Sequence, residues 1–156
     1  MRVIFGDTDQ MGMVYYASYL RYFEIARNEY LRQAGATYRA FEETHGLRLP
    51  VVEAHVRYHK PARYDDEVVI ATAVEPRGAA SVRFVYELHR AADDLDGDPH
   101  RVPNPPRDGL RRASSSTPGA LLVSGWTVHA CINGDGRVVR IPGEMRDAVG
   151  IRGGAR

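Results

Sequence analysis

The sequence predicts an α+β domain in which one long helix lies across a predominantly antiparallel sheet of about five strands. Two observations carry that expectation. A single stretch near the N-terminus has helical period, and a run of segments after it has period two, broken by turn-forming residues.

The elements follow in chain order. Arg2 to Phe5 is a short β-prone run cut off by Gly6 and the polar Asp7-Thr8-Asp9. From Tyr16 to Ala34, apolar side chains recur at Tyr19, Leu20, Phe23, Ala26, Tyr30, Leu31 and Ala34, the spacing of one helix face. Arg21, Glu24, Asn28 and Arg32 fall largely off that stripe, and Gly35 stands where a helix stop is expected. After Pro50 the period becomes two: Val52, Ala54, Val56 and Tyr58 on one side, Glu53, His55, Arg57 and His59 on the other. Pro61 to Asp66 is a turn, Val68 to Val74 the next strand, and Pro76 to Gly78 another turn. Val82, Phe84, Tyr86 and Leu88 alternate with polar neighbours in a further strand. Leu121 to Ile132 and Val138 to Ile141 form the last pair, joined by a hairpin turn.

Residues 92–119 differ in character. They hold five of the nine prolines, five aspartates and no aromatic residue, too little to bury for a structure of their own. Because strands flank them, they are expected to be a mobile insertion in a hairpin within a single domain spanning 1–156.

With 21 basic and 20 acidic side chains the net charge is +1, so no global field draws the chain to nucleic acid or an anionic membrane. An anionic ligand must be held by a local patch. The apolar runs, such as Val68 to Ala71, are far short of the roughly 20 residues that cross a bilayer. No secretory signal is legible at the N-terminus, so a cytoplasmic location is expected. Cys131 is the only cysteine and reads as a packed apolar side chain in a strand.

No metal site is expected. His55 and His59 share a strand face but lie about 13 Å apart. Asp7 to Gly12 opens like a calcium loop, yet Ser18 stands where the bidentate Glu would be. No Gly-x-Ser-x-Gly elbow and no glycine-rich phosphate loop occurs.

The chemistry concentrates in Gly6 to Tyr19, which joins the first strand to the helix. A carboxylate there faces backbone N–H groups that lack intrahelical partners, and the same groups can polarise a carbonyl. Acyl transfer needs this pairing of a base or nucleophile with oxyanion donors. Asp7 and Asp9 would equally serve as turn or helix caps, and the residue pattern alone leaves both readings open.

Asp7, Asp9, Gly12, Val14, Tyr15, Tyr16 and Tyr19 match Asp-x-Asp-x-x-Gly-x-Val-Tyr, a Tyr or His position, and a Tyr three residues later. The stretch resembles the signature of the 4-hydroxybenzoyl-CoA thioesterase group, which includes the Tol-Pal-associated acyl-CoA thioesterases. The likeness continues at Tyr19 to Arg27, Pro61 to Asp66 and Gly136 to Pro142, covering nearly all the chain except 92–119. The resemblance implies a hotdog fold and hydrolysis of a short-chain or aromatic acyl-CoA. It implies Asp9 as the catalytic carboxylate and the Tyr16 amide as the donor to the thioester carbonyl, with Gly12, Val14, Tyr15 and Tyr19 at the substrate. Arg77 and Ser81 are expected at the coenzyme. No separate cofactor is implied, since coenzyme A is part of the substrate. The site is expected between subunits of a homodimer or homotetramer. Two departures stand out: few residues precede the first strand, leaving the true start open, and the insertion replaces a short hairpin.

Two other functions are weighed against hydrolysis. A hotdog hydratase or dehydratase would use a histidine paired with an acid near the helix, and 6–34 contains no histidine. A non-catalytic acyl-thioester binding protein would have no need of Asp9.

Overall fold

The computed structural model describes residues 1–92, 111–112 and 118–148. Eight elements are named here: α1 (Ser18–Gln33), α2 (Tyr38–His45), β1 (Val51–Tyr58), β2 (Val68–Pro76), β3 (Ser81–Ala91), β4 (Arg111–Arg112), β5 (Pro118–Ala130) and α3 (Gly143–Ala148). The five strands form one antiparallel sheet in the order β1-β5-β3-β2-β4. This is the hotdog architecture, with α1 lying on one sheet face.

The core explains why α1 lies there. Tyr22, Phe23, Ala26 and Leu31 from α1 bury against Phe84, Tyr86 and Leu88 of β3 and Leu122 of β5. The Phe23 ring stacks on Tyr86 at 4.3 Å, with 6° between the planes. It can do so because β5 carries Gly125 at that point. A Cβ on Gly125 would stand 2.8 Å from Phe23 and 2.4 Å from the His55 carbonyl. The missing side chain is thus the seat of the helix.

Several elements differ from the sequence reading. The first strand reduces to a bridge between Arg2 and Glu67, and a 3-10 turn at Phe5–Asp7 follows it. Helix α1 begins at Ser18 instead of Tyr16. Its stripe holds Tyr22, while Leu20 is exposed. Helix α2, with Thr37 Oγ1 accepting from the Ala40 N–H and Gly46 ending it at φ 62°, was not expected, nor was α3. β5 starts at Pro118, inside the presumed insertion. The fifth strand of the sheet is the two-residue β4, whereas Val138 makes only an isolated bridge with Ile132. Most of 92–119 lies outside the described residues.

Cys131 is packed as expected, one residue past the end of β5, and His129 on β5 is buried as well. Cys131 is fully buried, and burial pushes its thiol pKa up. His129 is satisfied by Thr127 Oγ1 at 2.9 Å and by the Leu49 carbonyl at 2.9 Å.

Candidate active site

The segment between the 3-10 turn and α1 is a tight hairpin. Thr8 bridges Val14, the Asp9 N–H donates to the Met13 carbonyl at 2.9 Å, and the Gly12 N–H donates to the Asp9 carbonyl at 3.0 Å. Gly12 has φ 72°, a left-handed conformation that a side chain would strain. Its part in the site is therefore this turn, and it does not line the cavity described below.

The two aspartates have separate partners. Asp7 is 5% exposed, accepts the Tyr22 hydroxyl at 2.7 Å and is paired with the Arg21 guanidinium. Desolvation, followed by the bond to Asp7, holds the Tyr22 phenol well above its ordinary pKa. Asp7 thus clamps the loop to α1. Asp9 is half-buried, and one of its oxygens accepts the Met11 N–H at 2.8 Å. Its other oxygen has no partner among the described residues. Turn cap and reactive group are therefore compatible in one carboxylate.

The chain enters α1 without a side-chain cap at Ala17. The Tyr15 N–H donates to the Asp7 carbonyl at 2.8 Å and the Ser18 N–H to the Tyr15 carbonyl at 2.9 Å. Between them, the N–H groups of Tyr16 and Ala17 have no acceptor among the described residues. Two donors at a helix start are thereby left for a ligand oxygen. The Tyr16 carbonyl, on the other side, accepts the Tyr58 hydroxyl at 3.1 Å.

A second loop, His59 to Asp66, is stitched to the first. The Val14 N–H donates to the Ala62 carbonyl at 2.9 Å, the Ala62 N–H to the Tyr19 hydroxyl at 3.3 Å, and Arg63 to the Gly12 carbonyl at 3.4 Å. Arg90 fixes the loop from below, donating to Asp66 at 2.9 Å and to the Pro61 carbonyl at 3.2 Å.

The two loops enclose a cavity of about 300 Å³. Asp9, Val14, Tyr16 and Tyr19 line it, so four of the expected residues converge. Tyr15 does not line it, and its ring leans on Tyr16 at 4.4 Å. Arg77 and Ser81 do not line it either. They bond each other across the β2–β3 hairpin, the Arg77 N–H donating to the Ser81 carbonyl at 3.2 Å. Tyr58, His59 and Lys60 also line the cavity, as do Met11, Met13 and Pro61, and none of these was picked from the sequence. Burial raises the phenol pKa values of Tyr19 and Tyr58, so both remain hydrogen-bond donors. A second cavity of about 250 Å³, between α2 and α3, holds none of the expected residues.

Among the described residues no group of three or more His, Cys, Asp or Glu could hold a metal ion, and no helix is long and apolar enough to cross a membrane.

Comparison with known proteins adds to this geometry. A model of the Thioesterase-like superfamily matches residues 3–149. The acyl-CoA thioesterase YbgC of Haemophilus influenzae is 37% identical over 90 residues, 58% of this chain and 66% of that protein. The 1,4-dihydroxy-2-naphthoyl-CoA hydrolase of Thermosynechococcus vestitus is 34% identical over 94 residues, 59% and 63% of the two. The match thus spans about two thirds of these relatives. The crystal structure of a hypothetical protein, TT1821, from Thermus thermophilus superposes with a TM-score of 0.73 at 28% identity, covering 97% of this chain and 95% of that one.

Proposed function

This chain belongs to the Thioesterase-like superfamily and is a thioester hydrolase, and from that premise we propose that it cleaves aromatic or short-chain acyl-CoA thioesters with Asp9 as its catalytic carboxylate. One observation carries the proposal: Asp9, with one oxygen unengaged, lines the same cavity as Tyr16, whose N–H has no acceptor among the described residues.

In this reading the thioester carbonyl oxygen accepts from the Tyr16 N–H, which stabilises the charge that builds on it as the carbon becomes tetrahedral. The free Asp9 oxygen either attacks that carbon or takes a proton from a water that does. Both routes need Asp9 ionised. The C–S bond then breaks and CoA leaves as a thiolate: on the water route it takes up the proton that Asp9 removed, and on the direct route the acyl group remains on Asp9 as an anhydride until water hydrolyses it to the free acid and supplies the proton. Val14, Tyr19, Tyr58 and the two methionines give the acyl group an apolar wall. That wall and the naphthoyl-CoA substrate named for one relative both favour an aromatic acid.

The assembly is part of the proposal. β1 is an edge strand with most of its side chains exposed. A second copy laid antiparallel along it, about a two-fold axis at His55, would set Glu53 of one copy opposite Arg57 of the other. That copy would also cover the end of β1 where the cavity opens. Arg77 and Ser81 are proposed to meet the coenzyme in a site completed in this way.

A second reading has one observation in its favour. The cavity does hold a histidine, His59, although its Nε2 is engaged by Ser124 Oγ at 2.8 Å. The two readings separate in one assay: free-thiol release over short, long and aromatic acyl-CoAs against hydration of crotonyl-CoA. Thiol release from an aromatic or short acyl-CoA, lowered by orders of magnitude in Asp9→Asn, is the expected result. Full activity of Asp9→Asn would show that another group performs the reaction.

A further inference from the structure

We propose that Lys60, exposed at the rim of the cavity, reads charge there, and that the acyl group it selects carries an anionic oxygen, foremost a carboxylate, at the end away from the thioester. The proposal rests on the thioesterase reading above and names the substrate class for the same site.

Three consecutive residues, Tyr58, His59 and Lys60, line one cavity, because β1 ends at Tyr58 and the chain bends at His59 and Lys60. The cause is visible in the backbone. The Leu122 carbonyl accepts both the His59 N–H, at 2.8 Å, and the Lys60 N–H, at 3.1 Å. The shared carbonyl ties down the chain just past the end of the strand, where alternation no longer applies. Arg90 pins the carbonyl of the next residue, Pro61, so Lys60 leaves a fixed point of the wall.

Of the two groups there that can carry positive charge, the His59 imidazole is taken by Ser124. The Lys60 ammonium has no carboxylate or carbonyl partner among the described residues, and it makes no ion pair with Asp9 although both line the cavity. The rest of the lining is mostly aromatic and thioether. In such pockets a few polar groups fix orientation. A volume of about 300 Å³ accommodates an acyl group and its thioester, not the coenzyme's nucleotide. Lys60 is exposed at the rim of this space, so its ammonium is placed to meet the part of the acyl group that reaches out of it, and its strongest complement is a carboxylate.

The test is equilibrium binding of three CoA thioethers that cannot be hydrolysed: S-phenacyl-CoA, S-(4-hydroxyphenacyl)-CoA and S-(4-carboxyphenacyl)-CoA. The full-length protein should bind the carboxylated ligand about tenfold or more tightly than the plain one, with the phenol between. In Lys60→Met that ratio should fall to about one, and Lys60→Arg should keep most of it. A parent protein that binds all three alike overturns the proposal. So does a Lys60→Met variant that loses the same factor for every ligand, because a structural role, or contact with the phosphates common to all three, moves the affinities together. The thioethers are not turned over, so this result is independent of whether Asp9→Asn abolishes hydrolysis.

Discussion

Replacing Asp7 by Asn should cost stability, whereas the same change two residues later should cost turnover. Asp7 is 5% exposed and accepts the Tyr22 hydroxyl at 2.7 Å, on a tyrosine with no exposed surface. Hydrogen bonds to a buried charged group contribute about 1.5–3 kcal/mol. The ion pair with Arg21 adds little, because the Arg21 side chain is half exposed and its charge is screened, about 0–1 kcal/mol. Asn preserves the volume and can still accept the hydroxyl, so the loss is the difference between a charged and a neutral hydrogen bond plus the ion pair, in total about 1–2.5 kcal/mol. For a chain of this size that lowers the melting temperature by roughly 3–8 °C. In Asp9→Asn the remaining carbonyl can keep the Met11 N–H at the exposed turn, so stability should hold within about 0.5 kcal/mol. Turnover should fall about 10²–10⁴-fold. Thermal melts and thiol release on the same preparations decide the matter. If Asp7→Asn melts like the parent but is inactive, the two carboxylates have the opposite roles.

Four further outcomes follow from the geometry. Burial, ahead of Arg27, lowers the His129 pKa to about 4 from 6.5. The neutral imidazole thus adds stability at pH 7 that is lost as pH falls from about 6.5 to about 4, where the unfolded chain takes up the proton first. Roughly 3 kcal/mol is at stake, and denaturant titrations of His129→Gln should run flatter with pH over that window. Gly125→Ala places a Cβ 2.4 Å from the His55 carbonyl, so β1 must part from β5; about 2–3 kcal/mol should be lost in urea unfolding. Tyr58→Phe releases the Tyr16 carbonyl, and kcat should drop about fivefold, with little change in melting temperature. Glu53→Arg should split the assembly in light scattering, and adding Arg57→Glu should restore it; an unaltered mass in the single variant rules out the proposed register.

What the sequence revealed and what it hid have separate physical causes. α1 and β3 were legible because each buries one face, and burial imprints its period on the residues; β2 was legible as a continuous buried apolar run, and β1 kept an alternating pattern although most of its side chains are exposed. Tyr22 escaped the helix stripe because a tyrosine tied to Asp7 from outside the helix carries no extra apolar signal. α2 has a Thr37 cap and a Gly46 stop, but eight residues with one buried side chain, Phe41, leave too short a pattern to read. Asp9 and Tyr16 lie within ten residues of one loop, so spacing and resemblance could single them out. The other wall of the cavity comes from the far end of β1, some forty residues on, and there alternation gave no guide. Period two carried past Tyr58 assigns His59 and Lys60 to opposite faces, but β1 ends at Tyr58, and both following N–H groups share the carbonyl of Leu122 on another strand. Where a strand ends depends on its pairing partner, so it cannot be read from one strand alone. The residues proposed to set specificity on this wall are therefore the ones that sequence patterning is least able to find.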